Sequence, residues 1–183
     1  MYEALRERLK KHEGVVPHLY LDTLGLVTCG VGHMIPTAAA MSRVEMVCAD
    51  GTPATQAMKE WEWAHVKNLQ AGHTPPYYEQ RTKLRMTPES VDRLLAADLN
   101  GFVVGIRLLL NFDAFPEPAQ EALLDMAFQL GVGGLATKFP HLTAAVRARN
   151  WALCANQCHR AGIAEWRNKA TADLFLEAAK CGN

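Results

Sequence analysis

Apolar positions recur at helical spacing at the start of the chain, close up into a strand-like stretch, then return to helical spacing up to the C-terminus. Leu5 and Leu9 share one face, which predicts a helix over residues 2–12. Gly14 is a stop signal, so Glu13 should stand at the C-terminal end of that helix. From Pro17 to Ile35 the chain is rich in β-branched and aromatic residues and is punctuated by Gly25, Gly30 and Gly32. That pattern predicts two or three short antiparallel strands, with a turn at Asp22-Thr23-Leu24-Gly25.

Residues 36–87 are less regular. Met41 to Ala49 and Pro53 to Gln70 have helical spacing, and Gly72-His73-Thr74-Pro75-Pro76 breaks it. Trp61 and Trp63, two positions apart, must point to different sides of a helix. Thr87-Pro88-Glu89 is a strong helix start, and that helix should run to about Leu110. Further helices are predicted over 117–130, with Leu123, Leu124, Ala127 and Phe128 apolar, and near 139–149, 151–161 and 165–180. Gly131-Val132-Gly133-Gly134 separates the first two of these. Helix, small sheet, then helices alone implies an α+β fold. A small β-hairpin lobe and a larger all-helical lobe are expected, with a cleft between them.

The chain has 183 residues, about half of them apolar, enough for one domain divided into two lobes. Formal net charge is zero and no face-wide basic excess is visible, so nothing suggests a nucleic-acid binder. It also excludes whole-molecule attraction to an anionic surface. Five cysteines, Cys29, Cys48, Cys154, Cys158 and Cys181, are odd in number and irregular in spacing, which favours free thiols. Cys154, Cys158 and His159 lack the second ligand pair a zinc site needs, so no metal is expected. The charged N-terminus has no apolar core of signal-peptide length, and no window is long enough to span a membrane. A protein made in the cytoplasm in this way would cross the membrane through a holin, a secretion apparatus or fusion to a larger carrier.

Glu13, Asp22 and Thr28 stand at successive spacings of nine and six around the predicted hairpin. Two carboxylates on opposite walls of a cleft are what glycoside hydrolysis requires. Glu13 suits the proton donor, since the negative end of a helix disfavours its charged form. Asp22 in a polar turn should stay ionised, and the Thr28 hydroxyl can help it hold a water. A water on the far face of the sugar gives inversion. Retention would instead need the carboxyl groups roughly 5 Å apart, with Asp22 as nucleophile.

These residues, with the flanking Gly14, Tyr20, Gly25, Gly30, Gly32 and His33, closely resemble the phage-type lysozymes. That glycoside hydrolase family includes T-even phage lysozyme and many tailed-phage endolysins. The resemblance continues through Ala127-Phe128-Gln129-Leu130-Gly131, Phe139 to Trp151, Trp166-Arg167 and Asp173-Leu174-Phe175. It implies a muramidase that cleaves the β-1,4 bond between N-acetylmuramic acid and N-acetylglucosamine in peptidoglycan, by inversion and without a cofactor. It further implies that Arg167 pairs with Glu13, which would oppose the helix-end effect on that carboxyl and leaves the net shift open. His33 and Asp98 match an ion pair that braces the hairpin against the long helix. Met34, Phe128 and His141 match positions that touch the saccharide.

Several features depart from the family pattern. His12 stands where an acidic residue often precedes the glutamate, and Cys29 stands where an apolar residue is usual. Much of 36–87 reads as an insertion, fit to lengthen the cleft rim, to recognise the peptide stem or to contact a carrier or inhibitor. Two settings fit the resemblance: a phage endolysin, or the lysozyme domain of an antibacterial effector delivered by a secretion system. The second implies a cognate immunity protein. A monomer acting in the periplasm or on the cell wall is expected in either case. Two other classes share parts of the pattern. A lytic transglycosylase would work with one acid and leave an anhydro sugar, and a wall-binding module would bind without cleaving.

Overall fold

A computed structural model describes residues 2–181. The chain divides into two compact units, and the division falls inside one long helix. The first unit covers Glu3–Asp98; the second begins at Leu99 and includes Tyr2.

The first unit opens with α1, Glu3–Glu13, which buries Leu5 and Leu9. Three antiparallel strands follow in the order β1 (Val16–Leu21), β2 (Val27–Gly30), β3 (His33–Met34). Tyr20 pairs with Thr28 and Thr28 with Met34, so these three share one face of the sheet. Leu19, Leu21, Val27 and Cys29 supply buried side chains from the strands. α2 (Gln56–Lys67) and α3 (Pro75–Glu79) pack against β1.

The segment 36–87 departs from its sequence pattern at Met41 to Ala49. Only a short 3-10 turn forms, Ala38–Arg43, capped by the Thr37 hydroxyl. Beyond it Val47 bridges to both Pro53 and Arg85 in extended conformation. The β-branched Val44 and Val47 favour that pairing over a helix. The expected break at 72–76 also contains a helix start, since Pro75 and Pro76 occupy the first turn of α3.

Polar groups bind this segment to the unit. Glu62, almost wholly buried, accepts from the backbone N–H of Lys83 and Leu84. Lys59 Nζ donates to the Val44 carbonyl, and Trp63 Nε1 to the Ile35 carbonyl. His18 Nε2 lies 2.9 Å from the Pro75 carbonyl and donates to it. Burial pushes the His18 imidazole below its usual pKa, although the Pro75 carbonyl acts the other way.

α4, Pro88–Arg107, is capped by Thr87, whose Oγ1 accepts from the Ser90 N–H. In the second unit come α5 (Glu117–Lys138), α6 (Pro140–Arg147), α7 (Trp151–Gln157) and α8 (Glu165–Lys180). The expected four-residue break at 131–134 is a single kink at Gly131, with φ 68° and ψ 161°, after which α5 resumes. α8 packs on α5 and α7, and Leu123, Leu124, Ala127, Cys154 and Phe175 on these helices are buried. Gly105 lies so close to Val132 that a Cβ there would stand 2.8 Å from Val132 Cγ2.

Candidate active site

Glu13 is the last residue of α1 and is exposed. The helix stops there because Gly14 turns left-handed, φ +77°, and its N–H bonds back to the Lys10 carbonyl. A carboxylate is thereby presented at a helix terminus, directly before β1 begins.

Asp22 initiates the turn between β1 and β2. Its carbonyl accepts from the Gly25 N–H, and Gly25 takes the positive φ the turn needs. Its side chain is fixed by the same turn: Oδ1 accepts from the N–H of Leu24 at 2.9 Å and of Leu26 at 2.8 Å. Both bonds engage the same oxygen.

Thr28, only 3% exposed, donates its hydroxyl proton to the Leu26 carbonyl at 3.1 Å. Oγ1 therefore offers a lone pair, not a proton, to any further partner. Tyr20, its cross-strand neighbour, is half-buried. Burial raises the Tyr20 phenol pKa, and the charges of Asp22, Cys29 and Glu13 add to the effect. Tyr20 shares a sheet face with Thr28 and Met34, although the sequence marked it only as flanking.

Met34 is exposed on the same sheet face. His33 Nδ1 lies 2.9 Å from both carboxylate oxygens of Asp98, joining β3 to α4. Beside it, the buried Cys29 thiol is pushed up to about 12 by desolvation.

In the second unit, Phe128 on α5 meets Phe102 edge to face, with ring centroids 5.9 Å apart. His141 is exposed in the first turn of α6. Arg167 is buried on α8 and donates through Nη2 to Asp125 Oδ1 at 3.1 Å. Asp125 also takes Arg160 Nη1 at 2.9 Å and the Thr171 hydroxyl at 3.1 Å. Arg160 further donates to Gln129 and Thr171. Burial would raise the Asp125 pKa, but the guanidinium groups of Arg167 and Arg160 overcome it and hold the carboxyl below its usual range.

The sequence reading missed Asp125 and Arg160. The available signal was Asp125 itself, a charge inside the run Leu123-Leu124-Asp125-Met126-Ala127. A carboxylate there must be buried and needs a cation. Nothing local identifies Arg160 as that cation.

A crystal structure of a P22 lysozyme point mutant aligns with this chain at a TM-score of 0.61. The alignment covers 96% of this chain and 97% of that one, at 20% sequence identity. The chain has a phage-lysozyme fold. No family model and no curated protein matches it in sequence. The lysozyme likeness is therefore one of architecture: a small three-stranded antiparallel sheet in a mostly helical chain.

Proposed function

We propose that this protein is a peptidoglycan hydrolase, a muramidase acting on the bond between N-acetylmuramic acid and N-acetylglucosamine. One observation carries the reading. Within a lysozyme fold, the Leu26 backbone holds Asp22 and Thr28 so that each has an acceptor to spare, while Glu13 ends the helix just before the same sheet.

Two acceptors suit a water molecule with two protons to donate. Hydrogen-bonded to Asp22 Oδ2 and Thr28 Oγ1, it would direct an oxygen lone pair at the anomeric carbon. Glu13 gives its proton to the leaving glycosidic oxygen as the bond to the anomeric carbon breaks. Water oxygen bonds to that carbon from the opposite side, and its proton passes to Asp22. The configuration inverts, and the enzyme regains its protonation state when a proton returns from Asp22 to Glu13 through solvent. Tyr20, the cross-strand partner of Thr28, is proposed as a positioning residue.

Arg167, Phe128 and His141 match family positions and are proposed as further site residues, Arg167 as an ion-pairing residue and the other two as saccharide contacts. His33 and Asp98 hold β3 in place. Segment 36–87, read as an insertion, contributes to recognition beyond the sugar. An endolysin and a delivered effector with its immunity protein both suit this chemistry, and both act as a monomer on the cell wall. Among the described residues no helix is long and apolar enough to cross a membrane.

The test is digestion of purified peptidoglycan with mass spectrometry of the products. Muropeptides ending in reducing muramic acid are expected. Anhydro-muramic ends, or intact wall, would overturn the reading.

A further inference from the structure

The second unit contains a cavity of about 550 Å3 that the proposed chemistry leaves unused. One wall is the end of α4 with the loop after it, including Arg107 and Leu108 to Asp113. The other is the end of α6 and the turn beyond, bearing Arg147 and Arg149. Three guanidinium groups and one carboxylate line it. Arg107 is already clamped by Asp113, through Nε at 2.9 Å and Nη2 at 2.8 Å. The side chains of Arg147 and Arg149 bond to no described residue, which leaves two forked donors beside the cavity.

Arg149 also has an unusual backbone. It sits at φ +53°, in the left-handed position after α6 where glycine is the ordinary choice. Its N–H bonds to the Val146 carbonyl and that of Asn150 to Ala145, closing the helix. A strained residue that lines a cavity is a reason to look for a ligand there.

Exposed apolar side chains lie among and beside the lining residues. Leu108 is 83% exposed and Leu109 is partly so, and Val104, one turn earlier on α4, is exposed as well. A free phosphate or an acidic peptide would satisfy the arginines and leave Leu108 in water. A phosphate joined to hydrocarbon satisfies both.

We propose that this cavity receives the phosphate headgroup of an anionic phospholipid. Arg147 and Arg149 donate to the phosphate oxygens, and Leu108 and Leu109 rest against the acyl chains. The attraction is local, because the chain as a whole has no net charge. Contact is peripheral and salt-sensitive.

The test is co-sedimentation of the full chain with vesicles of phosphatidylcholine alone, or of equal parts phosphatidylcholine and phosphatidylglycerol. Binding to the anionic vesicles should be about thirty-fold stronger, from roughly fivefold for each of the two arginines at such a surface. R147Q/R149Q should lose that preference while digesting purified peptidoglycan at the wild-type rate. R149G relieves the backbone strain, so it should melt no lower than wild type yet still bind the vesicles more weakly. L108Q should weaken vesicle binding without changing the response to inorganic phosphate. Equal binding to both vesicle types, or undiminished binding by R147Q/R149Q, would overturn the proposal. So would competition by millimolar inorganic phosphate in a chain that L108Q leaves unaffected on vesicles; that would mark a free-phosphate site.

Discussion

Asp22 and Thr28 are fastened to the backbone of one residue: the Leu26 N–H donates to Asp22 Oδ1, and the Leu26 carbonyl accepts from Thr28 Oγ1. The Asp22 N–H shares that carbonyl, at 3.0 Å. A hairpin turn thus sets the relative position of two side chains six residues apart.

Replacing Thr28 with valine keeps the shape and removes the hydroxyl. The Leu26 carbonyl keeps its bond from Asp22, so the stability loss should be about 1 kcal/mol or less. Loss of a water acceptor should cost activity about a hundred-fold. Thr28→Ser should recover most of it. The check is kcat on soluble glycan beside a thermal melt; a stability loss matching the activity loss would make Thr28 merely structural.

The buried network in the second unit should respond asymmetrically. Asp125→Asn removes the carboxylate that pairs with both Arg160 and Arg167 inside the unit, which should cost about 3 kcal/mol or more. Arg160→Leu leaves Asp125 still paired with Arg167 and should cost less. Because the Asp125 pKa is depressed, its contribution is complete above the unfolded value of 3.8 and is lost as pH falls through the folded one. Denaturant melts of both variants down to acid pH measure this.

His18 gives a second pH dependence at milder pH. Its folded pKa is lowered, so below its ordinary 6.5 the unfolded chain takes up a proton that the folded chain refuses. Stability should therefore fall as pH drops from 7 through 6.5 toward the lowered folded pKa. His18→Gln keeps a donor for the Pro75 carbonyl and removes the titration. Its stability should change less over that range, and an unchanged slope would point to another group.

Gly105→Ala places a methyl group against Val132 Cγ2. Alanine gains up to about 1 kcal/mol in helix propensity, but overpacking costs about 1–3 kcal/mol, so the net effect should be destabilising. Combining it with Val132→Ala should return part of the loss in a double-mutant cycle.

What could be read from sequence was local. α1 stops at Gly14, the strands turn at Asp22 to Gly25, and α4 starts at the Thr87 cap, each through residues adjacent in the chain. The region after Met41 was misread because what decides it is distant: Val47 pairs with Arg85, and the Met86 N–H bonds to the Pro17 carbonyl. Glycine misled once, since Gly133 and Gly134 remain helical and only Gly131 turns. In the site, the sequence supplied residue types and spacing. It did not reveal that Leu26 ties Asp22 to Thr28, or that Asp125 joins α8 to Arg160, because those depend on where side chains meet.

In the proposed hydrolysis Glu13 is the acid and Asp22 the base. The most direct test of these roles is turnover of purified peptidoglycan by wild type, Glu13→Gln and Asp22→Asn, with the folded state of each checked by circular dichroism and the released muropeptides weighed. Wild type should release reducing muramic ends, each folded variant should lose about a hundred-fold or more of that activity, and both should still bind the wall. Wild-type release rates from folded Glu13→Gln and Asp22→Asn would contradict these roles.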